Sequence, residues 1–180
     1  NTDVMAVNES GQECMVGEIG EIVVRGDQVM KEYLNDPEMT QNILKDGWLY
    51  TGDLGVMDDD GCLYVVDRKK DIIISGGENI SSVEVESVLY KHPKIMEAAV
   101  IGIPDPKFGE GVCAVVVPRE GEALSEQEVV EYCKQHLASY KKPRKVIFTD
   151  ALPRNPSGKV LKRELRKIYA GSEKMVFQRG

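Results

Sequence analysis

The run DRKKDIIISGGENIS, residues 67–81, separates two different patterns in this chain. Its first five residues are charged, and residues 71–75 then read as a short apolar strand. Short polar linkers favour domain boundaries, and a hinge needs few residues to absorb a large backbone rotation. The charged run therefore predicts either an ordinary solvated loop or a hinge near residues 68–70.

The chain before this run is predicted to be rich in β structure. Residues 18–26 form a segment bounded by glycines that is typical of a strand. A turn of the Asp-Gly kind at residues 58–61 lies between two apolar segments and predicts a hairpin. Asp36 and Pro37 mark a helix start, as N-cap and first helical residue. We expect residues 1–67 to be the C-terminal, β-rich piece of a larger domain.

Helix and strand signals alternate after the run. Capping boxes that begin at Ser81 and Ser125 predict two helices, and a last helix is predicted from about Leu161. Three further strands are predicted, at residues 98–103, 112–117 and 145–149. Residues 68–180 are therefore expected to form a small, mobile C-terminal domain, which makes the whole chain α+β in class.

Composition is that of a soluble globular protein, with 42% apolar and 29% charged residues. No apolar run approaches the ~20 residues that a membrane-spanning helix needs, so no transmembrane segment is predicted. The chain begins with Asn1 and has no signal-peptide pattern. We expect it to be cut from a longer protein.

The cysteines lie far apart and form no Cys-x-x-Cys pair, which predicts free thiols rather than disulfides. They are Cys14, Cys62, Cys113 and Cys133. Free thiols favour a reducing, cytoplasmic location. The two histidines, His92 and His136, follow helical segments and are expected at the surface, and no metal site is predicted.

Charge is unevenly distributed along the chain. Residues 139–170 contain ten Lys or Arg against two acids, although the whole chain carries a net charge of −7. A basic segment of this kind can bind nucleic acid, but few aromatic residues interleave with its charges as stacking platforms. No nucleic-acid partner is therefore predicted, and the phosphates of a small ligand suit the segment better.

The segment Tyr50-Thr51-Gly52-Asp53 follows an apolar stretch and precedes the predicted hairpin. Asp53 there is either an ordinary turn aspartate or a fixed carboxylate that accepts the hydroxyl groups of a ribose, as acidic residues do in nucleotide sites. The residues alone leave both interpretations open.

Residues 75–79, Ser-Gly-Gly-Glu-Asn, join a predicted strand to a predicted capped helix. Paired glycines commonly serve plain turns. Because they carry no Cβ, they also let the backbone approach a thin, extended ligand. Both interpretations stay open here as well.

Residues 153–159, Pro-Arg-Asn-Pro-Ser-Gly-Lys, do not form a Walker A loop, because Pro153 and Val160 replace its glycine and its hydroxyl residue. A lysine on a glycine-containing loop is a mobile point charge, suited to an anion whose geometry changes during a reaction. The alternative for Lys159 is an ordinary surface lysine.

The order and spacing of these four segments resemble the C-terminal part of the adenylate-forming superfamily: acyl-CoA synthetases, luciferases and the adenylation domains of peptide synthetases. The resemblance covers about residues 17–166. It implies that Asp53 holds the ribose of ATP, that Arg68 touches the same ribose, and that Tyr50 lies on the adenine side. It also implies that Lys70 is the pivot of the small domain.

The same resemblance implies roles for the two remaining segments. In such enzymes the second glycine of the loop lines the tunnel for the pantetheine of CoA, which places Gly77 in the CoA site, with Gly76 and Glu78 beside it. The final motif implies that Lys159 is catalytic and bridges the acid's carboxylate and the α-phosphate of ATP.

The implied activity is that of an ATP-dependent acyl-CoA ligase, which adenylates a carboxylic acid and then transfers the acyl group to CoA, with Mg²⁺ neutralising the triphosphate. The phosphate loop, the adenine segment and the acyl pocket are absent from the chain. The N-terminal domain of the same enzyme is thus the expected partner, and the chain alone is expected to be inactive. The sequence of residues 72–81 is most similar to that of fatty-acyl ligases.

Two alternatives stay open. An adenylation domain that serves a carrier protein has the same motifs, although about ten residues follow the last predicted helix, so the carrier would act from another chain. A non-catalytic binding or regulatory module of the same fold is the other alternative. The joint presence of Asp53, Arg68 and Lys159 argues against it.

Overall fold

A computed structural model describes residues 2–170 of the chain. The chain divides into two compact units, Asn1–Lys70 and Asp71–Gly180. The α+β class expected from the sequence is confirmed: strands dominate the first unit, and strands and helices share the second. No helix within residues 2–170 is long and apolar enough to cross a membrane.

The first unit is built on an antiparallel sheet of five strands. They are β1 (Thr2–Val7), β2 (Ile19–Gly26), β3 (Leu44–Lys45), β4 (Trp48–Met57) and β5 (Leu63–Arg68). Strand β2 lies between β1 and β4, and both β3 and β5 pair with β4. Helix α1 (Pro37–Ile43) begins as predicted, because the Asp36 carboxylate accepts the Met39 N–H at 2.9 Å.

The second unit contains the other five strands and three helices of the described residues. The strands are β6 (Ile73–Ser75), β7 (Glu78–Ile80), β8 (Ile95–Asp105), β9 (Gly109–Pro118) and β10 (Lys145–Phe148), and the helices are α2 (Ser82–Leu89), α3 (Glu126–His136) and α4 (Lys162–Tyr169). Strand β9 lies between β8, which is antiparallel to it, and β10, which is parallel. A 3₁₀ turn, Lys69–Asp71, precedes β6.

Both faces of the β8–β9 hairpin are covered, as the period-two alternation of strand side chains requires. One face packs on α2 and α3 through residues such as Val100 and Val129, and the other packs on α4 through residues such as Ile101 and Leu165. Double coverage explains why β8 and β9 read as nearly continuous apolar runs.

Both predicted capping boxes mark helix starts. The Ser81 hydroxyl accepts the Glu84 N–H at 3.3 Å, and the Ser125 hydroxyl accepts the Glu128 N–H at 3.2 Å. One connection differs from the prediction: β7 lies between the paired glycines and α2. The glycines therefore form the turn of a β6–β7 hairpin and do not lead directly into the helix.

The prediction of a surface position is wrong for His92, which is only 5% exposed. Its ring packs edge-on against Tyr132, with the ring centroids 4.6 Å apart, and its Nδ1 accepts the Lys94 N–H at 3.2 Å. Burial lowers the pKa of His92 below its ordinary value of 6.5, although the carboxylate of Glu128 acts in the opposite direction. The packing of α3 against the end of α2 causes this burial, which no local sequence pattern signals.

This buried imidazole predicts a specific acid sensitivity. A lowered folded-state pKa means that the unfolded chain binds the proton more readily, so the stability due to His92 is present above pH 6.5 and is lost as the pH falls toward the folded-state pKa. We expect His92→Phe to reduce the loss of unfolding free energy between neutral pH and pH values below 6.5. Urea titrations at several pH values measure this. His136→Phe, at an exposed site, should keep the original pH response, and parallel profiles for His92→Phe and the parent chain would contradict the assignment.

Candidate functional site

The Thr51-Gly52-Asp53 segment bulges out of strand β4. Glu21 pairs with Leu54 and Val23 pairs with Tyr50, so two steps along β2 correspond to four along β4. The Thr51 hydroxyl fixes the bulge: it donates to the Ile22 carbonyl at 2.8 Å and accepts the Asp53 N–H at 3.1 Å. Bulges re-aim side chains, and this one carries Asp53.

Asp53 and Arg68, two predicted nucleotide-binding residues, are in contact. They face each other across the β4–β5 pair, and Arg68 Nε lies 2.6 Å from Asp53 Oδ1. Their side chains are 31% and 52% exposed, and exposed pairs of this kind contribute about 0–1 kcal/mol to stability. A pair that is accessible and weakly held can rearrange around a polyhydroxyl ligand at little cost.

Tyr50, the third predicted nucleotide-binding residue, lies earlier on β4. Its ring is 4.9 Å from Lys45 Nζ, and its hydroxyl group is close to Gly11. It is half-buried. Its position toward an adenine ring stays a prediction.

Lys70, the predicted pivot, lies at the end of the first unit. On one side of it Lys69 donates to Glu21 at 2.8 Å, and on the other side Asp71 accepts from Arg166 at 2.8 Å. Lys70 itself is exposed, and its side chain makes no hydrogen bond or ion pair with any residue in 2–170. Each neighbour is thus tied to its own unit, and the Lys70 side chain between them is unconstrained, although its backbone belongs to the 3₁₀ turn.

Gly76 and Gly77 form a two-residue hairpin turn in which both residues have positive φ, 62° and 88°. Mirror-image turns of this type require the left-handed region, where glycine is favoured. The Gly76 N–H donates to the Phe108 carbonyl at 2.8 Å. A Cβ on Gly76 would lie 2.9 Å from the Phe108 ring, whereas one on Gly77 would meet nothing within 4 Å. Gly77 therefore presents bare backbone to open space, and Glu78 follows it in an exposed position.

The Lys159 loop is held by its own backbone and by a guanidinium group. Asn155 Oδ1 accepts the Lys159 N–H at 2.8 Å, and Arg154 donates to the Gly158 carbonyl at 2.6 Å. Arg154 also binds Glu97 of β8 at 2.8 Å. The Lys159 ammonium makes no ion pair with the residues that the structure describes.

Many cations of the basic segment are neutralised within the second unit. The pairs are Lys141 with Glu84, Arg154 with Glu97, Lys162 with Glu86, and Arg166 with Asp71. These four cations are neutralised internally, and the Lys159 ammonium is not among them.

The two loops of the second unit lie at opposite ends of the β8–β9 hairpin. The Lys159 loop is bound to Glu97, which lies near the start of β8, and the Gly76–Gly77 turn is bound to Phe108, just beyond the end of β8 at Asp105. At about 3.3 Å per residue, the strand between Glu97 and Asp105 is roughly 26 Å long.

Sequence reasoning missed Glu21, Glu97 and Arg154 as supports of the predicted site residues. Glu21 and Glu97 contact elements far away in the chain, and Arg154 connects its own loop to Glu97, so no local spacing signals these long-range contacts. No group of three or more His, Cys, Asp and Glu side chains able to hold a metal occurs within residues 2–170.

The model of the AMP-binding enzyme C-terminal domain matches residues 84–159, which lie in the second unit. Over most of its length the chain is similar to the C-terminal portion of adenylate-forming enzymes, as the four segments indicated. It spans about a third of the length of the curated relatives that it matches.

Two of these relatives are acyl-CoA ligases. The long-chain-fatty-acid–CoA ligase FadD13 of Mycobacterium tuberculosis is 50% identical over 95% of this chain and 34% of its own length. The feruloyl-CoA synthase of an Amycolatopsis species is also 50% identical, over 93% of this chain and 34% of its own. Among solved structures, ATP-bound MatB from Rhodopseudomonas palustris matches with a TM-score of 0.90 and 42% identity, over 94% of this chain and 34% of that one.

The glycine turn generates a stability prediction. Alanine at positive φ costs about 1–2 kcal/mol, so Gly77→Ala should lower the unfolding free energy of this chain by that amount. Gly76→Ala should cost more, because its Cβ would also collide with the Phe108 ring. Urea unfolding measures both. Gly121→Ala is the matched control, since Gly121 has a φ of 77° and open space around its Cβ position. Equal losses of unfolding free energy in Gly76→Ala and Gly77→Ala would contradict this prediction, because they would mean that the Phe108 ring moves aside at no cost.

Proposed function

We propose that this chain is the pivoting C-terminal part of an AMP-forming acyl-CoA ligase. One observation carries the proposal: two loops suited to different ligands lie at opposite ends of one rigid hairpin, Gly76–Gly77 at one end and Lys159 at the other. Loops so far apart cannot serve one reaction centre at the same time. A unit that turns about Lys70 can present them to that centre in succession.

In the first half-reaction Asp53 and Arg68 bind the ribose of ATP, with Tyr50 toward the adenine. The exposed ion pair supports this role, because the carboxylate can accept ribose hydroxyl groups when Arg68 shifts. A carboxylate oxygen of the acid attacks the α-phosphorus, and the bond to the β-phosphate oxygen breaks to release pyrophosphate. The unpaired Lys159 ammonium lies between the carboxylate and the α-phosphate, where negative charge is concentrated in the transition state.

In the second half-reaction the unit turns at Lys70, so that Lys159 leaves the centre and the Gly77 turn enters it. The CoA thiolate attacks the acyl carbon, and AMP leaves with the electrons of the carbon–oxygen bond. The exposed backbone of Gly77, with Gly76 and Glu78 beside it, suits a thin pantetheine chain, since no side chain narrows the path there.

ATP, CoA and a carboxylic acid are thus the proposed substrates. The ATP in the MatB structure supports the first of these. Mg²⁺ would accompany the triphosphate. We assign its ligands to no residue of this chain, because residues 2–170 hold no cluster suited to a metal.

A fatty acid is the proposed acyl substrate, because the sequence of residues 72–81 is most similar to that of fatty-acyl ligases. FadD13 and the feruloyl-CoA synthase are equally similar to the chain, so a panel of fatty and aromatic acids is the appropriate assay. A cytoplasmic location is proposed from the four free cysteines.

Lys159→Ala in the full-length enzyme tests the proposal. Loss of one transition-state charge contact should slow adenylate formation about 10²–10³-fold, by analogy with single oxyanion donors. Thioester formation from supplied acyl-adenylate should be spared, because Lys159 is then away from the centre. Pyrophosphate exchange and single-turnover thioester assays measure the two steps.

Lys134→Ala is the matched control, since Lys134 is also an exposed lysine of the second unit and pairs only locally with Glu131. It should leave both half-reactions unchanged. Equal loss of both half-reactions in Lys159→Ala would contradict the alternation.

Calorimetry of the chain alone separates half of an enzyme site from a self-sufficient binding module. Since the chain offers one ribose contact pair and one glycine turn, we expect dissociation constants of about 1 mM or weaker for ATP, AMP and CoA, equivalent to binding free energies no more favourable than about −4 kcal/mol. Micromolar binding of any of the three would favour the regulatory module.

A further inference from the structure

Glu21 of β2 joins two parts of the first unit that the proposed function uses separately. Its side chain is 12% exposed, and its two carboxylate oxygens have different partners. Oε1 accepts the Gly52 N–H at 3.1 Å, and Oε2 accepts from Lys69 Nζ at 2.8 Å. A largely buried carboxylate needs such partners, because an unpaired charge in that position is costly.

The Gly52 contact acts on the nucleotide side. Gly52 has a φ of 73° within the bulge of β4, and Asp53 is the next residue. The neighbouring Ile22 carbonyl holds the same bulge through Thr51. Two consecutive residues of β2 thus fix the backbone from which the Asp53 carboxylate projects.

The Lys69 contact acts on the other side. Lys69 is the last residue before Lys70, and the second unit begins at Asp71. Arg68, just before Lys69, forms an ion pair with Asp53. The ion pair of Glu21 with Lys69 therefore anchors the chain to the first unit one residue before the proposed pivot.

We infer that Glu21 is a positioning residue that holds the ribose-binding bulge and fixes the first-unit end of the hinge through Lys69. This inference rests on the proposed function. It places one carboxylate between the nucleotide contact and the pivot, so that neither can shift without affecting the same side chain.

Three substitutions separate the two contacts. Glu21→Gln keeps an oxygen that can accept the Gly52 N–H but loses the charge that holds Lys69. Lys69→Met loses the same ion pair from its other partner. Glu21→Ala loses both contacts. Asp3→Asn is the matched control, because Asp3 pairs with Arg25 at 2.8 Å in the same sheet and touches neither segment.

Trypsin cleavage within residues 68–71 of this chain reports the hinge. We expect Glu21→Gln, Glu21→Ala and Lys69→Met each to be cleaved there about tenfold faster. Each variant loses the charge-assisted contact between Glu21 and Lys69, which limits local opening of residues 68–71. Lys70 remains as a cleavage site in all of them. Asp3→Asn should be cleaved at the original rate, and circular dichroism checks that every variant is folded.

The KM for ATP in the full-length enzyme measures the effect of the contact between Glu21 and the Gly52 N–H on nucleotide binding. Only Glu21→Ala should raise it, by about tenfold, because only this change removes the acceptor of the Gly52 N–H. Cleavage at the original rate in either Glu21→Gln or Lys69→Met, or an unchanged KM in Glu21→Ala, overturns the inference. If Lys159→Ala affects both half-reactions equally, the proposed function fails instead, while the cleavage rates still decide the role of Glu21 at the hinge.

Discussion

The antiparallel ladder between β8 and β9 is the constraint on which the second unit depends. Its paired positions run from Ile95–Pro118 to Asp105–Gly109, and apolar side chains cover both faces. An interior packed at crystal-like density does not flex continuously, so the ends of the hairpin keep a fixed separation. Whatever is attached to those ends moves with the whole unit. The turn at Gly76 and the loop at Lys159 are attached there, so the distance between these two motifs is fixed by the hairpin.

Charge in the second unit is arranged so that a single ammonium of the final motif stays available. The acids that neutralise the basic segment come from α2, from β8 and from Asp71 at the start of the unit. Some of these pairs are partly buried; Lys162 and Glu86, for example, are 15% and 16% exposed. Pairs of this kind fix geometry better than they add stability. Lys159 lacks such a partner among the described residues. Its loop backbone is fixed by hydrogen bonds, while its ammonium stays available for the anionic ligand that we propose.

The parts of the fold that the sequence predicts are those with local causes. Asp36, Ser81 and Ser125 signal helix starts because a cap acts over three residues, and the hairpin around residue 60 follows from its Asp-Gly turn. The contact of Asp53 with Arg68 is partly foreseeable, since the sequence predicts the same ligand for both residues. The roles of Glu21 and Glu97 are not, because their partners lie on strands or loops brought near only by the complete sheet. The same reason explains the burial of His92, which depends on the packing of a helix more than thirty residues away.

The proposed pivot at Lys70 can move Lys159 only if the Lys159 loop rotates rigidly with the start of the second unit. The second unit provides a direct link: Asp71, its first residue, binds Arg166 of α4 at 2.8 Å, and α4 follows the Lys159 loop in the chain. At its other end α4 is tied to α2 through Lys162, which is 2.7 Å from both Glu86 and Ser82. Asp71, the residue after the proposed pivot, and the Lys159 loop are therefore both connected to one short helix. Rotation that starts at Lys70 must carry this helix as a rigid body, and the Lys159 loop with it.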